Sequence, residues 1–237
     1  AMALAALAIH LRWPPAVVLA LIQLHALCSS PTWSISSAII FARPADAQTE
    51  FGPIRAMATL GWMAGCWVVS ALGADSTSGA GFSGAVVWLL VCGWTYFLPV
   101  LETLRAVTNL TWRERLGLDA LTLLKHRDHR VVFITIALFA IPICGFYPYA
   151  PPHLRELGYH HTSAWMTLGQ VTEIICMLLL GGLLLRWRLK WIFAAGLTLG
   201  VARFALSAMN NQLAMLAGVT LHGASFTLVF ITAQIYL

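Results

Sequence analysis

SAWMTLGQVTEIICMLLLGGLLL, residues 163–185, carries one charged side chain, Glu173, in an otherwise apolar run. An α-helix rises about 1.5 Å per residue, so a run of this length crosses the roughly 30 Å hydrocarbon core of a bilayer. Working outward, comparable runs occupy 14–42, 55–73, 82–101, 131–150, 189–209 and 212–237. That makes seven spans, and residues 1–11 read as the tail of an eighth. The 237 residues are 59% hydrophobic and 10% charged, whereas a soluble domain carries about a quarter charged residues. The mean hydropathy is +0.80. Too few ions are present to cover a water-facing surface, so the expected fold is all-α: a polytopic transmembrane helical bundle.

The basic residues orient it. Arg43 and Arg55 flank one loop; Arg105, Arg113, Arg115, Lys125, Arg127 and Arg130 fill the next on that side, followed by Arg186, Arg188 and Lys190. The opposite loops hold only Arg12 and Arg155. The positive-inside rule places 43–54, 102–130 and 186–190 in the cytoplasm, as expected of a multi-pass membrane protein. The same bias accounts for the pI of 9.2, so nucleic acid is not an expected partner. No basic region precedes the first apolar run as a secretory signal would require. The chain opens on Ala1 and its last span stops at Leu237 without flanking charge; both ends read as cut, and an internal fragment is the expectation. Cys28, Cys66, Cys92, Cys144 and Cys176 are scattered singly through the spans, which suits packing and offers no metal motif. No cofactor is expected.

Residues 102–130 form the one long polar interruption, dividing 1–101 from 131–237. Thr111-Trp-Arg-Glu114 has the form of a capping box, and leucines 116, 118, 121, 123 and 124 follow it. The pattern predicts a short amphipathic helix on the cytoplasmic surface, or an ordinary linker helix. Two bundles joined this way suit a two-lobed transporter. Ser29-Ser30-Pro31 marks a bend in the first complete span. Pro142, Gly145, Pro148, Pro151 and Pro152 predict a broken helix lining a cavity, with structural kinking as the alternative.

Ionisable groups inside a membrane are costly and so are functional candidates. Glu173 lies near the midplane, with Gln170 three residues earlier on the same helical face. The carboxyl group could carry a proton while the amide offers a donor and an acceptor to a polar ligand; a structural helix–helix hydrogen bond is the alternative. Arg55, with Thr59 and Trp62 beyond it, opens a span after Pro53; a snorkelling anchor is the plainer reading of that arginine. Arg203, deep in its span, needs a partner, for which Glu173 or backbone carbonyls are available. His222, Phe226 and Gln234 share one face of the last span, next to Thr227. Tyr147 and Tyr149 lie beside the proline-rich segment, where rings could stack on a planar ligand. His160-His161 reads as a solvated pair. No nucleophile–base constellation or phosphate loop is present, so an enzyme is not expected.

Phe51-Gly-Pro-Ile-Arg55, Thr59-Leu-Gly61-Trp62, Trp67-Val-Val-Ser70, Leu116-Gly-Leu-Asp119-Ala120, Gln170-Val-Thr-Glu173, Ala202-Arg-Phe-Ala-Leu206 and His222-Gly-Ala-Ser-Phe226 together resemble, in order, the bacterial nucleoside:proton symporters of the major facilitator superfamily. The resemblance implies a two-lobed transporter incomplete at both ends, running from the end of its third helix to its tenth, with helices three to six in 1–101, a linker at 102–130, and helices seven to ten in 131–237. It implies a nucleoside site formed by Arg55, Thr59, Trp62, Tyr147, Gln170, Glu173, His222 and Phe226, with Glu173 tied to proton coupling. His222 stands where the family has Tyr. Cys144-Gly-Phe-Tyr147 replaces the family's Gln and Asn, and Thr227 replaces an acid. The expected function is transport of nucleosides across the cytoplasmic membrane by proton symport and alternating access. Partners are a nucleoside, a proton and the lipid bilayer, and the expected state is a monomer. A transporter of a sugar, amino acid or drug, or a non-transporting receptor, is the alternative.

Overall fold

The structure, a computed structural model, describes residues 1–41, 47–97, 111–115 and 117–236. Arg43, Glu102, Arg105 and Leu116 lie outside the described residues, as do the side chains of Arg113, Arg115 and Asp119. Ten α-helices are present among the described residues: α1 (Met2–His10), α2 (Pro15–Phe41), α3 (Ala47–Ala71), α4 (Gly79–Trp94), α5 (Trp112–Arg115), α6 (Arg127–Glu156), α7 (Thr162–Arg186), α8 (Leu189–Ser207), α9 (Gln212–Phe226) and α10 (Thr232–Tyr236). The described residues form seven helical segments long and apolar enough to cross a membrane, with α9 and α10 counted as one.

Burial is distributed as lipid solvent requires. The 18-residue apolar windows of α2 and α4 are 0% buried, and that of α9–α10 is 50% buried. Leu89 and Leu213, about three-quarters exposed, face outward at no cost in hydrocarbon. The largest buried clusters join α6, α8 and the α9–α10 segment through Val132, Phe139, Ile143, Phe193 and Val229, and join α6, α7 and α9 through Phe146, Leu154, Met166, Met215 and Val219. Cys28, Cys92 and Cys144 stand exposed on helix surfaces, so those thiols do not pack the interior.

Two expectations change. The proline-rich span is not broken: α6 is one helix of 30 residues with Pro142, Pro148, Pro151 and Pro152 inside it. Each proline removes one backbone donor, but in hydrocarbon the remaining bonds have no aqueous competitor. The amphipathic segment is not one helix. Thr111 N–H and Oγ1 both donate to Glu114 Oε2 at 2.7 Å, and Glu114 N–H donates back to Thr111 Oγ1 at 3.4 Å, the reciprocal arrangement of a capping box. Gly117, at φ 66°, then turns the chain left-handed into 3₁₀ turns over Leu118–Lys125.

The antiparallel pair α3–α7 organises the centre. Thr59 Oγ1 donates to Glu173 Oε1 (2.9 Å), Trp67 Nε1 to Thr167 Oγ1 (3.1 Å), and Ala164 N–H to Ser70 Oγ (3.0 Å). Each step forward along α3 meets a step back along α7. Behind it, α9 crosses α7 so closely that a Cβ at Gly223 would collide with the Gly169 carbonyl and the Glu173 backbone. Small residues allow this approach.

Candidate functional site

Between α3, α6, α7 and the α9–α10 segment lies a cavity of about 500 Å³, walled by Arg55, Ala58, Thr59, Trp62, Tyr147, Gln170, Glu173, Phe226, Phe230, Ile231 and Gln234. Cavities of this size suit small ligands. Glu173 stands one residue before the midpoint of α7, consistent with the mid-membrane depth read from the sequence. It is 6% exposed, and its carboxylate accepts the Thr59 bond that joins α7 to α3. Arg55 and Glu173 stand on the same cavity wall. The Oε1 atoms of Gln170 and Gln234 are buried and find no hydrogen-bond partner among the described residues. A wall that carries unpaired acceptors is suited to a ligand rich in donors.

The aromatic side of the wall is equally specific. Trp62 and Tyr147 meet edge to face, ring centroids 6.4 Å apart. Phe226 stacks on Phe230 at 5.1 Å. A π-helical turn over Thr227–Ile231 interrupts the end of α9, and such turns are frequent at functional positions. It brings Phe230 and Ile231 onto the cavity surface together with Phe226.

Of the sequence-derived candidates, Arg55, Thr59, Trp62, Tyr147, Gln170, Glu173 and Phe226 converge on this one cavity. His222 does not reach it. It is 1% exposed and sits behind Tyr147, whose hydroxyl lies 2.9 Å from His222 Nε2. The α9 periodicity places 222 and 226 on one face, but α6 covers the upper part of that face. Among the described residues Arg203 is paired with His222 Nδ1 and with Ser225 Oγ (3.2 Å), not with Glu173 or a backbone carbonyl. Tyr149 is 75% exposed and away from the cavity. His161 is no mere solvated neighbour of His160: its Nδ1 contacts the Ser70 carbonyl at 3.0 Å. Sequence reasoning passed over Ala58, Phe230 and Ile231. Phe230 had a signal, standing midway between Phe226 and Gln234 in steps of four.

A family model for nucleoside H+ symporters matches residues 2–237. The chain belongs to the nucleoside H+ symporter family. It is a multi-pass inner-membrane protein, consistent with the major facilitator superfamily. Among curated relatives of this symporter-family chain, the "Putative nucleoside transporter YegT" of Escherichia coli K12 is 30% identical over 230 residues, covering 91% of this chain and 54% of the relative. The nucleoside permease NupG of the same organism is 23% identical over 241 residues, 94% of this chain and 58% of the relative. The xanthosine permease of that organism is 20% identical over 231 residues, 90% and 55% respectively. The chain therefore spans just over half the length of these relatives. No solved structure matches it.

Proposed function

We propose that the protein carrying this chain moves nucleosides and protons together across the cytoplasmic membrane by alternating access, acting as a monomer in the lipid bilayer. Residues 1–101 and 131–237 belong to two lobes joined by the cytoplasmic linker 102–130, and the cavity lies between them. The observation that carries this reading is the mid-membrane Glu173, facing a cavity while hydrogen-bonded by Thr59 from the other lobe. A proton on that carboxyl group changes the bond that joins the lobes, and it shifts their equilibrium to the extent that the two arrangements hold the group differently.

Gln170, Glu173, Thr59 and Arg55 supply polar contacts, Glu173 and Gln170 suiting the hydroxyl donors of a sugar. Trp62, Tyr147 and Phe226 supply faces and edges for a planar base. His222 serves from behind the wall rather than on it. Family membership supports the substrate class, as do the names of its relatives. The test is Glu173→Gln in the full-length protein, reconstituted in proteoliposomes. Expected are loss of proton-driven uridine accumulation and retention of uridine counterflow, since the neutral amide keeps the shape but cannot exchange a proton. A variant that still concentrates uridine against its gradient would falsify the coupling role.

A further inference from the structure

Arg203, His222 and Tyr147 form a chain of hydrogen bonds that ends at the cavity, and its direction can be read from the donors. Arg203 is fully buried, its guanidinium lying 4.5 Å from the Phe146 ring centre and 4.3 Å from that of Phe204. Its Nη1 meets His222 Nδ1 and Ser225 Oγ. The His222 ring is fixed between Phe146, at 5.0 Å, and Phe226, at 5.8 Å. Its Nε2 meets the Tyr147 hydroxyl at 2.9 Å.

A guanidinium has donors only. The nitrogen that accepts from it, His222 Nδ1, therefore carries a lone pair, and the imidazole proton sits on Nε2. A second proton on the ring would set an N–H against the guanidinium with both charges buried. The Nε2–H then donates to the Tyr147 oxygen, and the phenolic proton cannot point back toward the ring. Tyr147, 38% exposed, lines the cavity.

We propose that Arg203 and His222 are positioning residues that make Tyr147 a dedicated hydrogen-bond donor into the cavity, so that the substrate group facing it is an acceptor. This rests on the nucleoside reading above. Because the acceptors Glu173 and Gln170 suit the sugar, the group at Tyr147 is a carbonyl oxygen or an unprotonated ring nitrogen of the base. An exocyclic amine placed there would confront the phenolic proton and be disfavoured. Ser225, Phe146 and the partly buried Phe204 complete the shell that holds the relay.

Two measurements on the full-length protein test the relay and the reading separately. Nitrogen-15 NMR of histidine-labelled protein, with His222 assigned by difference from His222→Gln, needs no substrate. It should show a neutral imidazole protonated at Nε2; an Nδ1–H tautomer or an imidazolium would overturn the relay. In proteoliposomes, Tyr147→Phe should raise the uridine KM about tenfold with little change in maximal rate, the loss of one hydrogen bond. The paired change Arg203→Met with His222→Phe removes both buried partners and keeps the rings packed; it should raise KM comparably, and adding Tyr147→Phe should raise it no further. His222→Gln, whose amide can accept from Arg203 and donate to Tyr147, should retain most of the affinity. An unchanged KM in Tyr147→Phe would overturn the donor role. So would affinity in the paired variant equal to that of the native protein. If the native protein carries no nucleoside while the tautomer is as stated, the nucleoside reading fails and the relay stands.

Discussion

Thr59 makes the bond on which the proposed coupling depends. Its hydroxyl donates to Glu173 Oε1 at 2.9 Å in a buried setting, so removing it leaves a carboxylate oxygen short of one donor. That loss costs about 1–3 kcal/mol when the acceptor stays buried. Thr59→Val, which keeps the branched shape, should lower Tm and raise the uridine KM, while Thr59→Ser should restore both; a valine variant that matches the native protein in both would remove Thr59 from the site. Gln170 and Glu173 were legible in the amino-acid sequence because a three-residue spacing on an apolar helix admits few arrangements. His222 could not be placed so. The same spacing rule groups it with Phe226, but whether a face meets a cavity or another helix is decided by α6, through Phe146 and Tyr147. The partner of Arg203 was hidden for the same reason, since His222 comes from a different helix.

At the scale of elements, span identity was legible because lipid leaves the backbone few choices, and the Thr111–Glu114 cap was legible because it is local. The continuity of α6 was not, since counting prolines says nothing of how a helix accommodates them; nor was the π turn at Thr227–Ile231, for which the sequence offers no plain signal. Gly223 shows how close packing sets the site. An added methyl group would strike the Gly169 carbonyl and the Glu173 backbone, so Gly223→Ala should cost about 1–3 kcal/mol through overpacking and weaken substrate binding as α7 moves. A thermal-shift assay that finds no loss would show that the crossing is loose. At the end of the α3–α7 pair away from Arg186, Asp75 Oδ1 accepts from Ser163 N–H at 2.7 Å and from Ser70 Oγ at 2.9 Å, while His161, left-handed at φ 55°, is held against the Ser70 carbonyl. Partial burial pushes the Asp75 carboxyl up, but the bonds from Ser163 and Ser70 outweigh it and hold the group below its ordinary value of 3.8. A depressed value means that the clasp contributes stability above the ordinary value and loses it as pH falls through the lower, folded one. Asp75→Asn should therefore lower stability by about 1 kcal/mol to the same extent from pH 8 to pH 5, with the gap closing only in stronger acid. A gap that closes between pH 7 and pH 5 would mean that Asp75 titrates in the working range.

For the molecule as a whole, orientation decides which end of the α3–α7 pair faces the cell. Arg186 ends α7, Arg188 lies between α7 and α8, and Lys190 stands in the first turn of α8, whereas Asp75 follows α3 and His161 precedes α7 at the opposite end of the pair. The charge asymmetry assigns the first group to the cytoplasm and the clasp to the exterior. On that assignment the wall from Gln170 to Arg55 and Gln234 lies on the cytoplasmic side of the clasp, so in the proposed transport cycle the clasp stands on the outer side of the cavity. Orientation can be measured without any assumption about substrate. With the five native cysteines replaced by serine, single cysteines at Ser76 and at Arg188 should react oppositely with a membrane-impermeant maleimide in intact spheroplasts. The cysteine at 76 should label at once, and the one at 188 only after the membrane is made permeable. If 188 labels first, the bundle is inverted, the clasp becomes an internal gate, and the order in which solute meets Tyr147 and Arg55 reverses with it.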